Sequence, residues 1–324
     1  MKAVVCKEFG PPEKLVVEEL PDPQAGPGHV LIDVKAAAVT FPDTLMIEDK
    51  YQFKAAPPFI PGGEVAGVVV AVGEGVEGFA VGDRVVGGAG IVGGFAELAA
   101  VPAGAARAIP EGLDFAEATG LLYAYGTGYY GLHHRGQLQP GETLLVLGAG
   151  GNVGLAAVEL GKLMGARVIA AASSDEKLDL CRDRGADDTI NYTTENLKER
   201  AKALTEGHGC DVVYDAVGGD YAEAAIRATA WGGRFLVIGF TAGIPRIPLN
   251  LTLLKSCQIV GVFYGAMVAR EPETRDAIAR DLLEWTAEGK LSPYVSRRYA
   301  LEEGPQALRD MIDRKAIGRI VVAP

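Results

Sequence analysis

The chain reads Leu144-Leu145-Val146-Leu147-Gly148-Ala149-Gly150-Gly151-Asn152-Val153-Gly154, where an apolar run passes into a glycine-rich turn and then into a segment of helical periodicity. Gly148, Gly151 and Gly154 are spaced three residues apart, which allows a tight turn and close packing of the helix on the strand. Backbone N–H groups at the start of such a helix can bind a pyrophosphate, so the stretch predicts a dinucleotide site. The residues predicted to contact the cofactor here are Gly148, Gly151, Asn152, Val153 and Gly154.

Strand-length apolar runs alternate with helical segments after this turn. Helical periodicity at residues 152–164 is followed by an apolar run at residues 167–171. Helical periodicity at residues 175–184 is followed by an apolar run at residues 188–190, and the alternation continues to residue 262. Strands and helices of this length in alternation are typical of βαβ units on a parallel sheet. The sequence therefore predicts a doubly wound Rossmann domain over residues 123–267, within an overall α/β fold.

The first 120 residues have a different sequence pattern, with short apolar runs between Gly/Pro turns and little helical periodicity. This pattern predicts a compact, barrel-like β domain. The tail after the Rossmann region differs again, because its helical segments are each followed by a strand-like run. We expect the tail to complete the first domain, so that residues 1–122 and 268–324 form one discontinuous domain.

The tip of the second predicted Rossmann strand distinguishes between the two nicotinamide cofactors. An NAD enzyme places a carboxylate there, on the ribose 2′-hydroxyl. This chain instead has Ser173 and Ser174 followed by Lys177, which supply hydroxyls and a cation for a 2′-phosphate. The carboxylates of Asp175 and Glu176 count against this interpretation unless they simply lead the first turn of a helix. We favour NADPH as the cofactor.

Composition limits the function classes. The 324 residues carry a formal net charge of −11, which argues against a general nucleic-acid-binding protein. The N-terminal residues lack a signal-peptide pattern, and no apolar run approaches the roughly 20 residues of a membrane span, so we expect a cytoplasmic protein without membrane insertion. The cysteines lie far apart without a C-x-x-C pair, so the sequence predicts neither disulfides nor a closed zinc site.

Several short motifs, in order along almost the whole chain, carry a family resemblance. They include Glu8-Phe9-Gly10-Pro11-Pro12, Pro61-Gly62-Gly63-Glu64-Val65-Ala66-Gly67, Val81-Gly82-Asp83-Arg84-Val85, Tyr125-Gly126-Thr127 and Val213-Tyr214-Asp215-Ala216-Val217-Gly218-Gly219. With these motifs and the glycine turn, the chain resembles the medium-chain dehydrogenase/reductase superfamily, and within it the zinc-free quinone oxidoreductases related to ζ-crystallin. The resemblance implies a GroES-like β-barrel catalytic domain, a Rossmann domain and an active site in the cleft between them.

The resemblance also bears on metal binding. Zinc-containing members have a cysteine in the stretch that reads Ala38-Val39-Thr40 here, a histidine at the position of Gly63, and a four-cysteine lobe, and this chain lacks all of them. Without sulfur or imidazole ligands a catalytic zinc has no site, so zinc-assisted alcohol oxidation is disfavoured and no metal is expected. Glu64 is then expected to be structural rather than a metal ligand.

The resemblance implies positions for the catalytic residues. Thr40 and Tyr51 would lie near the nicotinamide and the substrate, and Thr127 would approach the nicotinamide. The family usually has asparagine at the position of Thr40, so a hydroxyl that donates one hydrogen bond replaces an amide that donates two. Tyr51 is interpreted either as a proton donor or orienter, or as a half-buried loop aromatic. Asn152 replaces a glycine of the turn, where its amide would contact phosphate or its backbone would take a positive φ.

The resemblance also assigns cofactor contacts beyond the glycine turn. The implied residues are Ser173, Ser174, Lys177 and Tyr192 around the 2′-phosphate, Val217 beside adenine, Phe240, Thr241 and Phe263 at the nicotinamide half, and Arg319 near the C-terminus.

Together these features predict NADPH-dependent, metal-independent reduction of a quinone or a similar α,β-unsaturated carbonyl, in which the protein positions the cofactor against the acceptor. One alternative is an enone or enoyl-thioester reductase, which would need a basic entrance for the phosphates of CoA. Another is a crystallin-like or nucleic-acid-binding relative that keeps the cofactor fold. By family topology the strand at residues 258–262 lies at the sheet edge, which implies a homodimer through that edge.

Overall fold

The computed structural model describes residues 1–90 and 92–324, and the chain divides into two compact units. Residues 1–123 and 283–324 form the first unit, and residues 124–282 form the second. The sequence placed the domain boundaries at 122/123 and 267/268. In the structure residues 268–282 belong to the second unit, where the Tyr129 hydroxyl hydrogen-bonds Asp281.

The strands and helices follow one another as the alternation of patterns suggests. The strands are β1 (Lys2–Val5), β2 (Val16–Glu19), β3 (His29–Ala38), β4 (Glu64–Val72), β5 (Arg84–Gly88), β6 (Leu98–Pro102), β7 (Ala106–Ala108), β8 (Thr143–Leu147), β9 (Arg167–Ala172), β10 (Asp188–Asn191), β11 (Cys210–Asp215), β12 (Thr229–Val237), β13 (Gln258–Gly261), β14 (Val295–Ala300) and β15 (Arg319–Ala323). The α-helices are α1 (Phe41–Met46), α2 (Phe115–Ala118), α3 (Gly126–Tyr129), α4 (Asn152–Leu163), α5 (Asp175–Asp183), α6 (Leu197–Leu204), α7 (Tyr221–Ala228), α8 (Asn250–Lys255), α9 (Tyr264–Arg270), α10 (Pro272–Ala287) and α11 (Gly304–Ile312). Wider π-helical turns at Leu121–Tyr125 and Tyr130–Arg135 flank α3.

The strands of the second unit form a parallel sheet in the order β10-β9-β8-β11-β12-β13. The chain moves outward from β8 in one direction and then returns to β11 on the other side, so the strand order reverses between β8 and β11. Sheets of this kind bind ligands at the carboxyl ends of their strands, beside the reversal. Residues 144–147 of β8 are buried, as expected for a strand covered on both faces.

The sheet of the first unit is mainly antiparallel, in the order β14-β15-β3-β4-β5-β7, with β6 also paired to β3. The ten-residue strand β3 is its centre and pairs antiparallel with β4, β6 and β15. Its residues Val30, Ile32 and Val34 are buried in the main hydrophobic core of this unit. Because β15 joins β3 at Ala37 and Ala38, the C-terminal tail contributes strands to the first unit.

The predicted α/β class is confirmed, although the sequence patterns did not indicate α1, α8 or α9. These helices have six or seven residues, which is too short for helical periodicity to be distinguished from a loop. Among residues 1–90 and 92–324, no helix combines the length and the apolar character needed to cross a membrane.

Candidate active site

The glycine turn follows β8 and leads into α4. Gly148 has a φ of +71°, a left-handed conformation that favours glycine, and Gly151 precedes the helix with extended dihedrals of −93° and 173°. A Cβ atom at Gly154 would overlap the carbonyl oxygen of Gly148, so the absence of a side chain lets α4 pack against the turn. The first N–H groups of this 12-residue helix lack intrahelical acceptors and can bind an anion.

The loop after β11 packs against the glycine turn. Oδ1 of Asp215 accepts the backbone N–H groups of Val217 and Gly218, each at 2.9 Å, which fixes the loop. A Cβ at Gly148 would lie 2.9 Å from Cγ2 of Val217, so the Val217 side chain borders the turn. A Cβ at Gly218 would lie 3.2 Å from Cδ1 of Phe240. The carboxyl ends of β8, β11 and β12 therefore meet at one edge of the sheet.

Lys177 lies across the glycine turn. A Cβ at Gly150 would come within 2.8 Å of Cγ of Lys177. Ser174 is the N-cap of α5, and its hydroxyl oxygen accepts the Lys177 backbone N–H at 3.5 Å. The Asp175 carboxylate accepts an amide N–H of Asn191 at 2.8 Å. The tip of β9 thus presents a cation, while its first carboxylate is engaged by a neighbouring side chain.

The loops after β9 and β10 are joined beside Lys177. The backbone N–H of Tyr192 donates to the carbonyl oxygen of Ala172, the last residue of β9, at 3.2 Å. Tyr192 packs on Tyr221, with ring centroids 4.5 Å apart and planes inclined by 48°. The aromatic pair therefore connects the loop after β10 to the start of α7, which follows β11.

An open depression of about 650 Å³ lies at the same edge, between the N-terminal ends of α6 and α7 and the loop after β12. Its charged lining residues are Lys198, Arg227 and Arg246 together with Asp220 and Glu223. Arg227 is paired with Glu223 at 2.7 Å, so the depression is of mixed charge rather than basic. It does not supply the strongly basic entrance that CoA phosphates would require.

Thr127 is held on α3 between two close packing contacts. A Cβ at Gly128 would lie 2.8 Å from Cδ1 of Leu160, so α3 packs tightly on α4. A Cβ at Gly126 would lie 2.5 Å from Cζ of Tyr264, the first residue of α9. Thr127 itself is buried. Glycines on both sides therefore fix the position of this threonine relative to the helix that begins at the turn.

Aromatic side chains are exposed after the last two strands of the parallel sheet. Phe240 follows β12 and is 41% exposed, and Phe263 follows β13 and is 47% exposed. The Thr241 hydroxyl donates to the carbonyl oxygen of Ala216 at 3.3 Å, which ties the Phe240 loop to the loop after β11. Exposed aromatic rings beside a fixed loop offer apolar surface to a planar ligand.

Thr40 and Tyr51 line one small cavity in the first unit, with a volume of about 60 Å³. Asp43 and Glu64 line the same cavity. Oδ2 of Asp43 accepts the Thr40 hydroxyl at 2.6 Å and the Thr40 backbone N–H at 2.7 Å. Its other oxygen, Oδ1, accepts the backbone N–H of Gly62 at 3.1 Å. The cavity wall therefore combines hydroxyl groups with two buried carboxyls.

Burial dominates the ionisation of these groups. Asp43 is 2% exposed, and desolvation raises its pKa to about 6, although the Thr40 and Gly62 donors oppose the rise. Desolvation also raises the pKa of Tyr51, and the nearby Asp43 charge adds to that rise. Asp43 is therefore close to half-protonated near pH 6, while Tyr51 keeps its proton.

Glu64 and Arg319 stabilise the segment 117–122 from inside the first unit. The Glu64 carboxylate accepts the backbone N–H groups of Gly120 at 2.7 Å and Leu122 at 3.1 Å. Burial raises the Glu64 pKa to about 7, against the attraction of the Arg319 charge. Arg319 is 2% exposed and donates to the Glu117 carbonyl at 3.0 Å. The cofactor contact implied for Arg319 stays a prediction.

The predicted cofactor residues of the second unit share one location, because each group of them follows the carboxyl end of a parallel strand. In the order of the chain they are Gly148, Gly151, Asn152, Val153 and Gly154 after β8, Ser173, Ser174 and Lys177 after β9, Tyr192 after β10, Val217 after β11, Phe240 and Thr241 after β12, and Phe263 after β13. Thr127 lies on α3 of the same unit, whereas Thr40, Tyr51 and Arg319 lie in the first unit.

One alternative for Asn152 is wrong, and one site residue was missed. Asn152 is the first residue of α4 and does not have a positive φ, so contact of its amide with phosphate is the alternative that remains. Asp43 was not among the site residues predicted from the sequence. The pattern Thr40-Phe41-Pro42-Asp43 has the spacing of a helix capping box, and this signal could have placed the carboxyl against Thr40.

The site suits a dinucleotide, because side chains are missing at the glycine positions where the turn, α4 and Lys177 come together. Within the described ranges, no group of three or more His, Cys, Asp or Glu side chains is arranged to hold a metal ion.

Comparison with known proteins assigns both parts of the chain. Residues 26–111 match the family described as alcohol dehydrogenase GroES-like domain, and residues 152–282 match the family described as zinc-binding dehydrogenase. The chain is 41% identical over 325 aligned residues to a quinone oxidoreductase-like protein 2 homolog of Nematostella vectensis, covering 99% of this chain and 88% of that protein.

Solved structures agree with this assignment over the full chain. The structure of Escherichia coli quinone oxidoreductase complexed with NADPH has a TM-score of 0.93 and 26% identity, and covers 100% of both chains. A mycobacterial protein solved as a complex with NADPH has a TM-score of 0.92 and 30% identity, with the same coverage. With its GroES-like and Rossmann domains, the chain belongs to the zinc-free quinone oxidoreductase group of the medium-chain dehydrogenase/reductase superfamily and is an oxidoreductase.

Proposed function

We propose that this protein is an NADPH-dependent quinone reductase. The observation that carries the cofactor assignment is Lys177, which lies across Gly150 beside the Ser173 and Ser174 tip of β9. A 2′-phosphate at this tip would gain charge-assisted hydrogen bonds worth about 1.5 to 3 kcal/mol. The first carboxylate after the tip, that of Asp175, accepts a hydrogen bond from the Asn191 amide. The two relatives solved with NADPH support the same choice.

The second unit would hold the cofactor along the carboxyl edge of its sheet. The N–H groups at the start of α4 would bind the pyrophosphate, and Val217 and Tyr192 would border the adenosine end. Thr127, Phe240 and Phe263 would border the nicotinamide end, where the exposed rings would shield the ligand from water. NADPH, when bound, supplies a hydride to the acceptor. The residues of this chain contribute by fixing the distance and orientation of that transfer.

Thr40 and Tyr51 would receive the acceptor in the first unit. A quinone is planar and apolar apart from its carbonyl oxygens, and one of these oxygens gains negative charge when hydride arrives. Hydroxyl donors that are fixed in place stabilise such charge more effectively than water does. A conjugated acceptor takes hydride without the strong polarisation that a metal provides, so hydroxyl donors would be enough once their hydrogens face the acceptor. The names of the relatives support quinones as the acceptor class.

We also propose that the protein forms a homodimer through β13. This strand ends the parallel sheet and pairs with β12 on one side. Its residue Ile259 is 38% exposed, and the preceding helix α8 exposes Leu253 at 80% and Leu254 at 64%. An exposed strand edge next to apolar side chains is the surface that a second copy covers in a two-fold dimer.

A steady-state assay tests the proposed function. NADPH or NADH oxidation is measured with 1,4-benzoquinone, 2-cyclohexenone and crotonyl-CoA, each with and without a metal chelator. We expect quinone turnover that the chelator leaves unchanged, with kcat/KM at least about tenfold higher for NADPH than for NADH. Equal use of the two cofactors would contradict the assignment of Lys177. Turnover confined to the enone or the thioester would replace the quinone with that acceptor class.

A further inference from the structure

Asp43 controls the direction in which the Thr40 hydroxyl can donate. The hydroxyl donates to Oδ2 of Asp43 at 2.6 Å. A threonine hydroxyl has one hydrogen, so while Asp43 is ionised that hydrogen is committed to the carboxylate. Only the oxygen lone pairs of Thr40 can then face a ligand in the cavity. Ionised Asp43 therefore makes Thr40 an acceptor toward the ligand, although the reduction of a carbonyl requires a donor there.

The surroundings of Asp43 favour the protonated form of its carboxyl more than water would. Its hydrogen-bond donors among the described residues are the hydroxyl and N–H of Thr40 and the N–H of Gly62, without a cation. Titratable groups lining the same cavity are Tyr51, Glu64 and Tyr123, and the Arg319 charge acts on Glu64. Desolvation without a paired cation raises the Asp43 pKa to about 6, so both protonation states are accessible.

Protonation of Asp43 reverses the hydrogen bond that it shares with Thr40. The new hydrogen on Oδ2 points to the Thr40 oxygen, because that oxygen lies 2.6 Å away and the other neighbours of the carboxyl are N–H donors. The Thr40 oxygen now accepts, and its own hydrogen is free to rotate toward the cavity. Tyr51 lines the same cavity, so a ligand there would lie beside both Thr40 and Tyr51.

We propose that Thr40 and Asp43 form a two-step proton relay to the acceptor oxygen, with Thr40 as the donor and Asp43 as the positioning residue behind it. This inference rests on the proposed reductase function. As hydride and its electron pair reach the acceptor, the Thr40 O–H bond breaks and an acceptor O–H bond forms. The Asp43 O–H bond breaks in turn and restores the Thr40 hydroxyl. Asp43 is left as a carboxylate and regains one proton from water, so one hydride and one proton are added in total.

Variants at both positions test the relay in single turnovers of NADPH-loaded enzyme with 1,4-benzoquinone. Thr40→Val keeps the side-chain shape without the hydroxyl, Thr40→Ser keeps the hydroxyl, and Asp43→Asn cannot pass a proton. We expect Thr40→Val and Asp43→Asn to slow the turnover by about 100-fold, the scale of a general-acid contribution, and Thr40→Ser to stay within about fivefold of wild type. The control is Asp49→Asn, which makes the same change in an exposed residue paired with Lys54.

The pH dependence separates a relay from a structural role. The wild-type rate should fall as pH rises through about 6, because the proton must be on Asp43 at the moment of transfer. Asp43→Asn should lose this dependence, and NADPH affinity should change by less than about threefold in every variant. Wild-type turnover in Thr40→Val, or an unchanged pH profile in Asp43→Asn, would overturn the relay.

A second readout needs neither cofactor nor acceptor. Infrared difference spectra of the unliganded protein should show a protonated carboxyl that ionises near pH 6 and is missing in Asp43→Asn but present in Asp49→Asn. Absence of this signal in the wild type would overturn the relay even if quinone turnover is normal. Conversely, if the signal is present but none of the tested acceptors supports NADPH oxidation by the wild type, the proposed function fails, and with it the role of the relay in reduction.

Discussion

Gly154→Ala is expected to weaken NADPH binding by at least about 100-fold and to lower the free energy of unfolding by about 2 to 3 kcal/mol. The added methyl group would overlap the Gly148 carbonyl oxygen, and its next neighbours are also backbone atoms, at 2.7 and 2.8 Å, which cannot rotate away. The helix α4 must therefore move off the turn. Its N-terminal N–H groups then lose their alignment with the pyrophosphate. Fluorescence titration with NADPH and thermal unfolding measure the two effects.

The matched control for this variant is Gly104→Ala. Gly104 lies in a short 3-10 turn at Ala103–Ala105, where an added Cβ would find no heavy atom within 4 Å. We expect this variant to bind NADPH and unfold as the wild type does. Wild-type NADPH affinity in Gly154→Ala would show that the cofactor does not depend on close packing between α4 and the turn.

Lys177→Ala is expected to weaken NADPH binding by about 10- to 100-fold while changing NADH binding by less than about threefold. The two cofactors differ only in the 2′-phosphate, so a side chain that contacts this group affects one of them alone. The range corresponds to the loss of a charge-assisted hydrogen bond worth about 1.5 to 3 kcal/mol. The measurement is a pair of fluorescence titrations on wild type and variant.

Lys290→Ala provides the same loss of charge at a distant position in the first unit, where Lys290 is exposed and paired with Glu288. We expect this control to leave both dissociation constants unchanged, which removes net charge as an explanation. An equal loss of NADPH and NADH affinity in Lys177→Ala would instead indicate that Lys177 supports the turn rather than the 2′-phosphate.

Much of the fold could be read from the sequence because the patterns were long and clearly bounded. The helices Asn152–Leu163 and Asp175–Asp183 and the strands Arg167–Ala172 and Asp188–Asn191 lie within one residue of the bounds that their patterns predicted. Each is an apolar or periodic run bounded by turn residues, so the hydrophobic pattern and the turn residues indicate the same bounds. The glycine turn could also be predicted, because its need for residues without side chains depends on residues close in sequence.

The parts of the site that could not be predicted depend on contacts between segments distant in sequence. The proximity of Lys177 to Gly150, and of Val217 to Gly148, follows from how three strands align at their carboxyl ends. The sequence shows a threonine at position 40, but not that a buried carboxyl would accept its only hydroxyl hydrogen. Asp43 lies in α1, a six-residue helix too short to show a period.

Hydride transfer from the protein-bound cofactor to the acceptor can be followed directly. Purified protein is saturated with NADPH that carries deuterium at one face of C4, mixed anaerobically with 1,4-benzoquinone, and followed in a single turnover by the loss of nicotinamide absorbance. We expect oxidation faster than that of free NADPH, with a primary isotope effect for deuterium on one face and none for the other. Oxidation no faster than in free solution, or the same rate for both deuterated cofactors and for unlabelled NADPH, would contradict this transfer.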